Sequence, residues 1–190
     1  MLSVLLELQR LKRLDRTGWV LRGLPPGAES VAAHSYGVAL TAMLLADECA
    51  ARGVEVDVGR VVRIALLHDL QETRTGDMPR TVADYYGREA RRAAERAAFD
   101  DVMEGTRAAG LYARLHEDYE ARGSTEARLV KAADVIDLLA QALFFERAGS
   151  RGLAEFWEGA EARDFGLEGT AREVVAEAIA ALVRERGEAR

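Results

Sequence analysis

An all-α fold is predicted by three observations. Ala supplies 34 of the 190 residues while Pro supplies only 3 and aromatics 6 %, a mixture that favours helix almost throughout. Apolar residues recur at intervals of three and four along most of the chain. The single alternating stretch, Val54-Glu55-Val56-Asp57-Val58, is too short for a useful strand and reads as the lead-in to a helix. No repeat, low-complexity segment or linker divides the chain, so one domain of about eight helices is expected over 1–190. A chain of this length buries roughly 70 % of the surface its unfolded form exposes.

Element by element, Leu2, Leu5, Leu8 and Leu11 mark one side of a first helix running to about Leu14. Gly23, Pro25, Pro26 and Gly27 then break the periodicity, which makes 16–29 a loop. Ser30 is an N-cap for a helix over 31–51, apolar nearly all round and interrupted only by Gly37. Asp57 caps the next, which runs through Val61, Ile64 and Leu67 into His68-Asp69-Leu70-Gln71-Glu72 and stops at Thr75-Gly76-Asp77-Met78-Pro79. A charged helix follows over about 88–109, then a shorter one over 111–120. Ser124 opens a helix to Glu146, and segments near 152–162 and 170–186 complete the count. The Arg and Glu run from Arg88 to Glu95 reads as a solvated face, and Cys49, Tyr85 and Tyr86 as packing residues.

The formal net charge of −6 argues against wrapping nucleic acid or lying on an anionic membrane. One cysteine, Cys49, excludes an internal disulfide and a cysteine-based zinc cluster. The longest apolar run, Val38 to Ala46, is far short of the ~20 residues that span a bilayer, and the first residues lack the basic region of a secretory signal. A cytoplasmic location is expected.

Three histidines exist, at 34, 68 and 116. His34 and His68 fall in otherwise apolar helices, where an imidazole is either a hydrogen-bonded core residue or a ligand. Asp69 follows His68 directly, and a divalent cation would satisfy both buried groups at once. Asp134 interrupts the apolar run Leu129 to Leu139, with Asp137 one turn on. It is either a further ligand or the i+3 partner of Lys131 on the helix surface. His116, beside Glu117 and Asp118, reads as exposed or structural.

His34, then His68-Asp69, then Asp134, at intervals of 34 and 65 residues, resembles the signature of the HD-domain metal-dependent phosphohydrolases. Arg16-Thr17-Gly18-Trp19, Glu29-Ser30-Val31 before His34-Ser35, Glu72 and Thr75-Gly76-Asp77 after His68-Asp69, and Glu117 to Asp134 with Ser124, Glu126-Ala127-Arg128 and Val130-Lys131 are similar to the 5′-deoxynucleotidase branch. The likeness covers roughly 8–160. It implies an HD-type helical bundle and an enzyme that removes the 5′-phosphate from deoxyribonucleoside monophosphates. It also implies one divalent metal ion on His34, His68, Asp69 and Asp134. Two imidazoles and two carboxylates suit Co, Mn, Zn, Fe or Ni better than Mg, and the family's usage favours Co or Mn.

The resemblance gives Glu72 and Asp77 the catalytic positions around the metal, Glu72 to orient or deprotonate water and Asp77 to protonate the leaving oxygen or hold substrate. On the residues alone, Glu72 is a solvated residue of the last helical turn, where it opposes the macrodipole, and Asp77 is ordinary turn chemistry. Arg16 is the resembling phosphate clamp or a surface arginine. Trp19 walls the sugar pocket or covers the core. The alternatives in function are hydrolysis of another nucleotide, guanosine tetraphosphate or a cyclic nucleotide, and a non-catalytic nucleotide-binding scaffold. The branch implies a homodimer.

Overall fold

The computed structural model describes residues 1–79, 82 and 85–188. It is all-α: among the described residues the only β pairing is an isolated antiparallel bridge between Asp15 and Ser30. The helices are α1 (Leu2–Glu7), α2 (Thr17–Val20), α3 (Val31–Ala51), α4 (Val58–Leu67), α5 (Glu72–Thr75), α6 (Arg88–Met103), α7 (Ala109–Ala121), α8 (Thr125–Arg147), α9 (Ala154–Trp157) and α10 (Gly169–Glu188), with a 3-10 turn at Ala160–Ala162. Two compact units divide them, one of residues 1–35 and 66–117, the other of 36–65 and 118–190.

The first unit gathers Val4, Leu11, Val31, Leu70, Phe99, Val102 and Met103 into one apolar cluster, with Leu8 and Leu14 packed against it. The inward stripe of the N-terminal segment is therefore Val4 and Leu11, buried, with Leu8 and Leu14 half-buried, while Leu2, Leu5 and Leu6 are exposed. Nor does the first helix reach Leu14. Beyond Glu7 the amides of Gln9 and Arg10 bond three residues back, and the chain winds on as turns. The reason lies in its carbonyls: Leu14 O accepts from Val31 N at 2.8 Å and Leu11 O from Ala32 N at 3.1 Å. These are amides of the first turn of α3, which no intrahelical partner can satisfy. Ser30 supplies the next bond, its Oγ accepting from Ala33 N at 3.1 Å, as an N-cap should.

The loop expected over 16–29 contains α2. α4 ends at Leu67, not at Glu72; the amides of Leu70, Glu72 and Thr73 bond three residues back, and Glu72 opens α5 instead of closing the helix before it. The macrodipole objection to Glu72 therefore disappears. Gly76, with φ of 76°, ends α5 in a conformation that glycine adopts without penalty.

His116 is buried in the first unit and stacks on Phe99, ring centroids 4.2 Å apart and planes 18° from parallel. Its Nε2 lies 3.2 Å from Gln71 Oε1. Burial pushes the imidazole down to about 4, against a weaker upward pull from Asp100 and Asp69. Between that value and the ordinary 6.5 the unfolded chain binds a proton that the folded chain refuses. The stability His116 supports is full above pH 6.5 and is lost as pH falls toward 4, by up to about 3 kcal/mol. Urea unfolding of the wild type and of His116→Phe at pH 7.5 and 4.5 should show this loss in the wild type only.

In the second unit α8 is central. Ser124 Oγ accepts from Ala127 N and caps it, and Leu129, Val130, Ala132, Ala133, Leu139 and Ala142 are buried along its length. α9 and α10 pack against it, and the Arg186–Glu146 pair, two contacts of 2.8 Å, ties α10 to its last turn. Asp57 caps α4 by accepting from Arg60 N at 2.9 Å. A Cβ at Gly37 in α3 would collide with the Asp137 carboxylate, so that side chain would have to move to admit any larger residue.

Three further expectations need correction. α3 is not buried all round, since Tyr36, Leu40 and Leu44 are exposed. Tyr85 and Tyr86, 89 % and 68 % exposed, do not pack in a core, whereas Cys49 does. Within the run from Arg88 to Glu95, Glu95 is buried and accepts from Arg91 Nε at 2.6 Å.

Candidate active site

The start of α3 and the turn after α4 bring His34 and His68 together in the first unit. Each is 1 % exposed, and their rings meet edge to face at 5.5 Å between centroids and 65° between planes. His34 sits one turn into α3, where its amide bonds Ser30 O. Both imidazoles face Asp69: Oδ2 lies 3.1 Å from His68 Nε2 and 3.7 Å from His34 Nε2. Two ring nitrogens and a carboxylate oxygen thus converge in a nearly dry setting, where such groups need compensation. The chemistry of that donor set fits a divalent transition ion.

Burial by itself would push the Asp69 carboxyl up. His68, by charge and hydrogen bond, together with Arg16 and His34, overrides this and holds it well below the usual carboxylate range. Asp69 is thus held ionised.

Arg16 precedes α2 and reaches the same oxygen, its Nη1 3.4 Å from Asp69 Oδ2 and 3.2 Å from Asp77 Oδ1. Asp77, past α5, also accepts from Thr17 N, and its carbonyl accepts from Thr17 Oγ1 at 2.7 Å. Arg16, His34, His68, Asp69 and Asp77 are therefore one contiguous group, all from the first unit. Glu72 is half-buried at the start of α5. Trp19 is 1 % exposed and donates through Nε1 to the buried Glu29 carboxylate.

Asp134 stands in the second unit, in mid-α8. Its Oδ2 accepts from Lys131 Nζ at 2.7 Å and from Tyr119 Oη at 3.3 Å. The i+3 pair with Lys131 is present, and Tyr119 is added to it. Sequence reasoning gave no role to Thr17, Glu29, Gln71 or Tyr119. The signal for Glu29 was a lone carboxylate beside the apolar start of a helix; for the other three the partners lie too far along the chain to be read from it.

The chain belongs to the HD domain family, whose model matches residues 8–160. Its relatives include a Danio rerio protein named 5′-deoxynucleotidase HDDC2, 32 % identical over 168 residues, 86 % of this chain and 79 % of the relative. The human protein of the same name is 36 % identical over 141 residues, 72 % of this chain and 64 % of its own length. The chain thus spans just under two thirds of the human relative. Among solved structures, the PH0347 protein of Pyrococcus horikoshii matches with a TM-score of 0.83 and 32 % identity, over 97 % of this chain and 99 % of that one. A conserved hypothetical protein of Pyrococcus furiosus matches at 0.80 and 35 %, with the same coverage.

Proposed function

We propose that the protein is a metal-dependent phosphohydrolase that removes the 5′-phosphate from deoxyribonucleoside monophosphates. The observation that carries this is the convergence of His34, His68 and Arg16 on Asp69. The names of the relatives in two vertebrates point to the same substrate class. In this proposal His34, His68 and Asp69 would hold the ion and, as the family resemblance implies, Asp134 with them, a set of imidazole and carboxylate donors suited to Co or Mn. A divalent ion held there would supply Lewis acidity toward a phosphoryl oxygen and make water easier to deprotonate.

The chain's own residues do the rest. Arg16 presents a guanidinium fork to the phosphate dianion, supplying locally the positive charge that a protein of net charge −6 lacks. Glu72 orients the attacking water or takes its proton. Asp77 accepts from Arg16 and Thr17, which favours a role in aiming Arg16 at the phosphate over one as proton donor. Trp19, braced by Glu29, backs a dry wall on the sugar side.

The proposal extends to one domain over 1–190, a homodimer and a cytoplasmic location. The exposed Tyr36, Leu40 and Leu44, four residues apart on α3, support the dimer, which sizing in solution tests. Among the described residues no helix is long and apolar enough to cross a membrane.

Purified protein with added Co or Mn should release phosphate from deoxyribonucleoside monophosphates in preference to the ribonucleotides. No release from any of them overturns the proposal. Arg16→Ala should lower kcat/KM roughly 10- to 100-fold, the worth of a charge-assisted contact. An unchanged value removes Arg16 from the site.

A further inference from the structure

We infer that His116 is a positioning residue for the turn that carries His68 and Asp69, acting through Gln71; this rests on the assignment of that turn as metal-binding. The turn is not a continuation of α4. Its amides bond three residues back, at 3.1 to 3.2 Å for Leu70, Glu72 and Thr73, and such bonds are poorer than those of an α-helix. How His68 and Asp69 are presented therefore depends on what grips the turn from behind. Leu70 is gripped by the apolar cluster it shares with Phe99. Gln71 is as deeply buried and carries an amide that an apolar core cannot satisfy.

His116 meets that need. An amide oxygen only accepts, so the 3.2 Å contact between His116 Nε2 and Gln71 Oε1 places the ring proton on Nε2 and makes the imidazole the donor. The ring is fixed in turn by its stack on Phe99. Burial keeps the imidazole neutral across the physiological range, so the tautomer persists. Without that donor Gln71 Oε1 would be a buried acceptor with one bond fewer, and the cheapest remedy is for the turn to move. Gln71 is two residues from Asp69 and three from His68, so that movement is passed to both ligands. Neither Gln71 nor His116 belongs to the His, His-Asp, Asp pattern, and a group that orients ligands from behind is worth roughly 10- to 100-fold in metal affinity.

The experiment titrates Mn into the full-length wild type, His116→Phe, His116→Gln, Gln71→Leu, the Gln71→Leu/His116→Phe double variant and Asp69→Asn by calorimetry, with a thermal melt of each. His116→Phe keeps the stack and loses the donor; it should weaken Mn binding roughly 10- to 100-fold. His116→Gln, which can still donate from a similar place, should recover most of that loss. The double variant should bind no more weakly than the weaker single, because both changes break one bond.

Wild-type Mn affinity in His116→Phe with a lowered melting temperature would make His116 a packing residue and overturn the inference. Additive losses in the double variant would do the same. If His116→Phe fails to fold, Gln71→Leu decides: unchanged Mn affinity overturns the inference and a matching loss supports it. Asp69→Asn separates the two levels. Wild-type affinity there defeats the metal assignment itself, whereas loss in Asp69→Asn with none in His116→Phe defeats only the role of His116.

Discussion

Asp69→Asn should abolish retention of a divalent cation and lower phosphate release by more than about 100-fold, the upper range seen for groups that merely support a ligand. Asn preserves the size of the side chain and removes its charge. The two ring nitrogens at 3.1 and 3.7 Å and the Arg16 guanidinium at 3.4 Å would then face a neutral amide. Asp134→Asn should match it in metal retention and activity, since the proposal makes both carboxylates ligands. The far-UV signal should persist in both variants, because neither residue builds the apolar core. Calorimetric titration with Mn or Co, phosphate release and circular dichroism on the same preparations check each part. Full activity in Asp134→Asn would confine its carboxylate to the pair with Lys131 and Tyr119.

The largest stability effect is expected at Phe99. Its ring is 1 % exposed, belongs to the cluster of Val4, Leu11, Leu70 and Val102, and forms the floor under His116. Phe99→Ala removes the apolar contacts and leaves a cavity that the surrounding helices fill only in part, at about 3–5 kcal/mol. In a chain of this size that corresponds to a fall of roughly 10 °C in melting temperature. Urea unfolding followed by far-UV circular dichroism measures it. A change below about 1 kcal/mol would show that the cluster is not the core of the first unit.

How much was legible can be judged at particular residues. Ser30, Asp57 and Ser124 were readable as caps because a cap is chemistry within three residues: each side-chain oxygen accepts from the amide three residues on. The long helices α3 and α8 were readable for a similar reason, from unbroken periodicity. The N-terminal stripe was misassigned because two leucine patterns overlap there, and only the partner surface decides whether Leu5 or Val4 turns inward. The early end of α4 was hidden because no Gly or Pro marks it; the break serves a turn whose bonds run three residues back.

The site followed the same division. His34, His68 and Asp69 stood out as polar groups in apolar helices, and their convergence agrees with that signal. The link from Arg16 to Asp69 spans 53 residues and the one from Gln71 to His116 spans 45, distances over which no local pattern carries information. Tyr85 and Tyr86 were misread on residue type alone: aromatic residues are usually covered, and these two are not.

The carbonyls of Leu11 and Leu14 take the first two amides of α3, and His34 lies within the same opening turn. Local opening of the N-terminal segment would therefore strip that turn of its bonds and fray the helix at the point where it presents an imidazole. Seen as an opening equilibrium, the N-terminal segment and the first turn of α3 are expected to exchange their backbone protons together, which would make that segment a control on how often the candidate ligand is held in place.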